Sequence, residues 1–252
     1  MTETARQPQP GDIRRFVVED AQRTPRVTLA RTAVLGFDRI LVPADGGSLT
    51  CDAEANVESA YLILDGQARL TDGRNVMAEL GPLEGVHVPR GASCRLEPAS
   101  AIDLDVLCMT AIDPRPDSGR RFARQALPRA IRYDSPDLGD ALIKVPYLIE
   151  QSDMLGVSVE KVRDGGGDDG FHTHSGTDSV WYVLGGGRAR FRCPDGSEIV
   201  VGANEGVSIP RMAAYGFIGL DHEPSEVLHV KVRDLSVPNE RIDYGPKVRG
   251  PG

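Results

Sequence analysis

Aromatic side chains, paired cysteines, long apolar runs and excess positive charge are all scarce in this chain. Aromatics make up 5% of its 252 residues, beside 28 Gly and 18 Pro. No stretch approaches the roughly 20 apolar residues of a membrane-crossing helix. Met1 to Gln9 is polar, with no apolar run after a basic start, so neither membrane insertion nor export is expected. The four cysteines, Cys51, Cys94, Cys108 and Cys193, form no Cys-x-x-Cys pair. That pattern fits a reducing cytoplasm better than a disulfide framework and leaves them as small buried side chains. A formal net charge of -8 repels phosphate backbones, so nucleic acid is not an expected partner. What is left is a soluble, turn-rich β protein of one large domain or two small ones.

The chain repeats itself at an offset of about 120 residues. Leu35-Gly36 matches Leu155-Gly156, Gly46-Gly47 matches Gly166-Gly167, and Ala60-Tyr61-Leu62-Ile63-Leu64 matches Val180-Trp181-Tyr182-Val183-Leu184. One residue further along, the block from Gly81 through Glu84-Gly85-Val86 to Pro89-Arg90 matches that from Gly202 through Glu205-Gly206-Val207 to Pro210-Arg211. In each half, short runs rich in Val, Ile and Leu are broken by Gly, Pro and Asp-Gly turns, which reads as antiparallel strands closing into a barrel or sandwich. Asp113 to Arg132, with its prolines and the arginines 120, 121, 124, 129 and 132, reads as a solvated linker with room for one helical turn.

The second half carries a motif that the first lacks. Gly166, His172, His174, Asp178 and Gly185 follow the spacing Gly-x5-His-x-His-x3-Asp-x6-Gly. Residues two apart on a strand share a face, so His172 and His174 can put two imidazoles on one cation.

This motif, with the Gly-x-x-Glu-Gly-Val-x-Ile-Pro-Arg block after it, resembles the two signature motifs of the cupin superfamily. With the duplication, the chain resembles a bicupin over nearly all of residues 30 to 235. The resemblance implies an all-β fold of two tandem double-stranded β-helix (jelly-roll) barrels: an amino-terminal barrel at 12–112, a linker at 113–135, a carboxy-terminal barrel at 136–240 and a tail at 241–252. It also implies a site of three histidines and one glutamate, from which this sequence departs twice.

Asp178 takes the glutamate's place if three residues follow His174. A four-residue count puts Ser179 there instead, with Trp181 and Val183 lining the cavity. Asp is the better ligand for a divalent ion, so Asp178 is the expected third donor, with an exposed turn aspartate as the alternative. Tyr215 stands where the second motif would end in histidine. A phenol there suits a proton donor or a hydrogen bond to a ligand, or is simply a core tyrosine. His229, on the last strand, faces inward by comparison with Cys108 of the first half, but outward by its own neighbours Leu228, Val230 and Val232. His222 and His87 read as surface or structural.

The first half has Asp52, Glu54, Glu58 and Cys94 at the corresponding places, so its barrel is expected to be structural. Arg188, Arg190 and Arg192 alternate with Ala189 and Phe191 and should face away from the cavity. The expected function is a metal-dependent enzyme acting on a small organic molecule. A mononuclear non-haem oxygenase is favoured, with His172, His174 and Asp178 as ligands, Tyr215 and His229 as catalytic groups, and Trp181 and Phe217 as pocket walls. The expected cofactor is one divalent ion, with Fe(II) preferred and Mn, Ni, Zn or Cu as alternatives. A redox-neutral isomerase, cyclase or hydrolase, and a non-catalytic small-molecule-binding bicupin, are the competing readings. A homodimer is possible by fold analogy.

Overall fold

The computed structural model describes residues 13–17, 25–115, 127–150, 152 and 154–244. Among them there is no helix, and every paired strand runs antiparallel to its neighbours in one of four sheets. In the first half a six-stranded sheet has the order Arg129–Arg132, Glu84–Val88, Val57–Asp65, Leu104–Ile112, Leu35–Val42, Arg26–Arg31. It is closed by a four-stranded sheet of Leu49–Asp52, Ser93–Pro98, Ala68–Thr71 and Val76–Leu80. In the second half a seven-stranded sheet has the order Arg14–Val17, Glu205–Ile209, Thr177–Gly185, Ser225–Arg233, Leu155–Val162, Ile143–Lys144, with Tyr147–Ile149 also paired to Leu155–Val162. Its partner has five strands: Glu198–Val201, Ala189–Arg192, Tyr215–Gly219, Gly167–His174 and Arg241–Tyr244. The fold is thus all-β, two jelly-roll barrels in tandem, as the repeat implies.

Three cores hold this together, because the central strands are buried on both faces. Along Val57–Asp65, Tyr61 and Ile63 point into the first barrel, while Ala60 and Leu62 pack between the barrels. Along Thr177–Gly185, Trp181 and Val183 point into the second barrel, while Val180 and Tyr182 pack between. Two-sided burial is why these strands read as continuous apolar runs rather than as alternation. Phe16, Phe37 and Tyr182 meet in the central core with ring centroids 5.9 to 6.4 Å apart.

The barrels exchange strands. Arg14–Val17 precedes the first half, yet it pairs with Glu205–Ile209 of the second. Arg129–Arg132 precedes the second half, yet it pairs with Glu84–Val88 of the first. Residues 129–132, expected in the linker, are therefore a sheet strand, and the linker arginines 120, 121 and 124 lie outside the described residues. The expected tail likewise begins with a strand, Arg241–Tyr244, on the edge beside the histidine strand.

The second repeated block is a turn whose residues have mechanical reasons. Glu84 Oε2 accepts the Gly81 N–H at 2.8 Å, and Glu205 Oε2 accepts the Gly202 N–H at 2.9 Å. A side chain at Gly85 would collide with the Tyr61 carbonyl, and one at Gly206 with the Trp181 carbonyl. Only glycine allows that approach of backbone to backbone.

Candidate functional site

The second barrel brings together three of the chain's five histidines, His172, His174 and His229. His172 is buried and His174 half-buried on one strand, with ring centroids 5.4 Å apart and edge-on. His172 sits opposite Tyr215 in the ladder, with ring centroids 4.5 Å apart, and Tyr215 is only 2% exposed. Trp181 stacks on Phe217 at 4.5 Å, so both line the interior.

His229 resolves its two sequence readings inward. Leu228, Val230 and Val232 pack between the barrels, while Val227 belongs to the second barrel's core, so the odd-numbered residues of this strand face the interior. The more apolar face is not the inner one here, because a second barrel covers it. The His229 ring stacks on Trp181 at 3.5 Å, and its Nδ1 lies 3.0 Å from Glu160 Oε1. Its Nε2, and the neighbouring Trp181 Nε1, are buried without a hydrogen-bond partner among the described residues. Two ring nitrogens left open inside a barrel call for a ligand or water.

Asp178 is not part of this group, which corrects the expected ligand set. It lies on the even-numbered face of its strand, between the barrels, where Oδ2 accepts from Thr32 Oγ1 at 2.5 Å and Oδ1 from the Arg211 N–H at 2.8 Å. Ser179 takes the inward place, so the four-residue count gives the register. The first half repeats this use of the acid: Glu58 Oε2 accepts from Ser152 Oγ at 2.5 Å, and its Oε1 lies 2.5 Å from His87 Nε2. Asp52 and Glu54 are exposed, and that barrel's interior holds Cys51, Cys94, Cys108 and Tyr61 instead.

Two residues with no motif complete the interior. Glu160 shares the inward face with Val162 and is 8% exposed. Burial raises its carboxyl to about 7, against the opposing pull of Lys231. Burial, then Lys231 and the other two histidines, drive His229 well below the ordinary imidazole value. The 3.0 Å contact between them is thus a hydrogen bond, not an ion pair. His174 is lowered to about 4, mainly by burial and by His172. Lys231, two residues beyond His229, is also lowered by burial, with Glu160 working against that. A polar residue at every second position of the run Val157-Ser158-Val159-Glu160 was the available signal for Glu160.

A divalent ion would find two imidazole nitrogens here, from His172 and His174. With Asp178 turned away and Ser179 in its place, no three His, Cys, Asp or Glu side chains among the described residues are gathered for a metal. The donor set falls short of a three-ligand centre. At the open end, an indentation of about 300 Å³ is lined by His174, Thr177, Lys231, Arg233 and Asn239, among others.

No family model and no curated protein matches the chain. Solved structures share its fold. A cupin 2 conserved barrel domain protein from Leptotrichia buccalis has TM-score 0.60 at 12% identity, covering 90% of this chain and 92% of that one. A salicylate 1,2-dioxygenase variant from Pseudoaminobacter salicylatoxidans, in complex with gentisate, has TM-score 0.65 at 8% identity, covering 91% and 80%. An oxalate decarboxylase from Lactobacillus farciminis, as a formate complex, has TM-score 0.60 at 13% identity, covering 94% and 90%. Two of these three are enzymes that act on small molecules.

Proposed function

We propose that this chain, a tandem barrel with the cupin fold, is an enzyme whose second barrel moves a proton on a small organic molecule in a redox-neutral isomerisation, cyclisation or hydrolysis. The observation that carries the reading is the buried Glu160–His229 pair, with His229 Nε2 left open toward the interior. With Glu160 ionised, Nδ1–H donates to the carboxylate and Nε2 carries a lone pair, the tautomer a general base needs. A substrate proton moves onto Nε2, and Glu160 stabilises the imidazolium that results. A carboxyl poised near 7 lets the same pair return the proton at neutral pH. Trp181 and Phe217 provide a flat apolar wall, with Tyr215 on the facing sheet. The unpaired cysteines fit a cytoplasmic setting.

A second reading, a metal-dependent oxygenase with Fe(II) preferred, is favoured by the adjacent His172 and His174 rings and supported by the dioxygenase among the fold neighbours. It requires a third donor beyond those two nitrogens. One experiment separates the two. Protein in deuterated water is incubated with a pool of small keto and enol compounds, with and without chelator, and deuterium uptake is read by mass spectrometry. The expected result is chelator-insensitive exchange that falls by at least about 100-fold in His229→Gln and Glu160→Gln. Oxygen consumption dependent on near-stoichiometric metal and on His172, without such exchange, would replace the acid–base reading by the oxygenase.

A further inference from the structure

We infer that the mouth of the second barrel is a docking site for a carboxylate group, held by Lys231 with Arg233 beside it. This deepens the function proposed above, and it rests on that reading only for the claim that the docked molecule is a substrate.

Lys231 lies on the inward face of its strand, two residues from His229, and is half-buried. It has no hydrogen bond or ion pair among the described residues, and neither does the Arg233 side chain. Among the described residues, the nearby acids have other partners. Glu160 is bonded to His229, makes no ion pair with Lys231 and acts on it only as a longer-range charge. Asp243 accepts from Arg241 Nε at 2.8 Å. Two cations thus line one indentation of about 300 Å³, and among the described residues no acid forms an ion pair with either.

A half-buried ammonium with no hydrogen-bonded partner loses hydration and regains only the longer-range pull of Glu160, so its place is explained if the ligand brings a closer charge. The surroundings suit a small planar anion. Gly156 is opposite Lys231 on the adjacent strand and puts no side chain over it. Thr177 Oγ1 and Asn239 Oδ1 are already joined at 2.9 Å, leaving the Asn239 amide free to donate. Lysine as a point charge and arginine as a fork both bind carboxylates, and Lys231 stands two residues from His229 on the same face of one strand. No helix N-terminus or glycine-rich nest of the kind that cradles phosphate borders the pocket among the described residues, which favours carboxylate.

The test is an equilibrium titration of the whole protein with pyruvate, benzoate and malonate, beside pyruvamide as the uncharged match and inorganic phosphate as the competing oxyanion. At least one carboxylate should bind, pyruvamide should not, and Lys231→Met should weaken binding at least about tenfold, with Lys231→Arg restoring most of it. Arg233→Gln should weaken it by a smaller factor. Thermal unfolding of each variant confirms that it is folded. Equal binding of pyruvamide, unchanged binding in Lys231→Met, no binding of any carboxylate by the parent, or tighter binding of phosphate than of every carboxylate would each overturn the proposal. Retained carboxylate binding with no proton exchange in any assay would instead overturn the enzymatic reading and leave the docking site standing.

Discussion

Asp178 is a buried acceptor with two donors, and its loss should be felt in stability rather than chemistry. Asp178→Ala strands the Thr32 hydroxyl and the Arg211 N–H between the barrels and should cost about 1–3 kcal/mol, read by denaturant unfolding, while leaving the proton-exchange rate within about twofold. Glu160 gives a pH signature. Its carboxyl titrates near 7 when folded, against an ordinary value of 4.5, because burial disfavours the charge. Between those values the folded chain keeps a proton that the unfolded chain has released, so this group's contribution falls as pH rises through about 4.5 to 7 and is level above. The loss is on the order of 3 kcal/mol. Comparing the parent with Glu160→Gln at pH 5 and pH 8 isolates it from His174, whose depressed value acts with the opposite sign. An identical pH slope in both proteins would refute the buried carboxyl. Of these residues, the histidine pair was legible in the sequence because a His-x-His spacing on a strand has one geometric meaning. Asp178 was misread because a one-residue difference in register decides which face of a strand a side chain takes. Glu160 belongs to no motif, and only its polarity within an apolar run marked it.

At the scale of elements, the exchanged strands were the least legible part of the fold. Arg14–Val17 and Arg129–Arg132 have four residues each, too few for alternation to stand out, and their partners lie far away in sequence. Local pattern cannot report such a pairing. The repeated Gly-x-x-Glu-Gly block was legible because each position answers a local demand: a carboxylate for the turn N–H, and a hydrogen in place of a side chain where another strand's carbonyl approaches. The first of the exchanged strands is anchored by Phe16 against Phe37 of the first half and Tyr182 of the second, at centroid distances of 6.0 and 6.4 Å. Phe16→Ala should therefore destabilise by about 2–4 kcal/mol, toward the low end because the ring is only partly covered. A loss below about 0.5 kcal/mol in chemical denaturation would show that the exchanged strand is not held by this contact. At the turn after Pro210, Met212 takes a positive φ of 67° where the matching residue of the first half is Gly91 at 69°. Met212→Gly should stabilise by about 1 kcal/mol by relieving that conformation, again read from denaturation midpoints.

The whole molecule is built so that neither half is complete. Each barrel takes a strand from the sequence preceding the other, and the two largest sheets share one apolar core between them. The acids at matching positions reach across in opposite senses: Asp178 accepts from Thr32 in the first half, and Glu58 from Ser152 in the second. Thr32 and Ser152 also cap the turns that start their own halves, accepting from Leu35 and Leu155 N–H at 3.0 and 3.1 Å. An acid expected to bind a metal is thus one arm of a reciprocal latch, present in both barrels. Two independent domains would unfold in two steps. A shared core with exchanged strands couples them, so unfolding of one barrel exposes the apolar face of the other, and intermediates are penalised by about 25 cal/mol for each Å² of that face. The expected calorimetric outcome is one transition with van't Hoff and calorimetric enthalpies in agreement. Thr32→Ala and Ser152→Ala should lower its midpoint by similar amounts, since each removes the donor of one arm and the cap of one turn. Two separable transitions, or a Ser152→Ala effect confined to the second barrel, would mean that the halves are joined in sequence but not in energy.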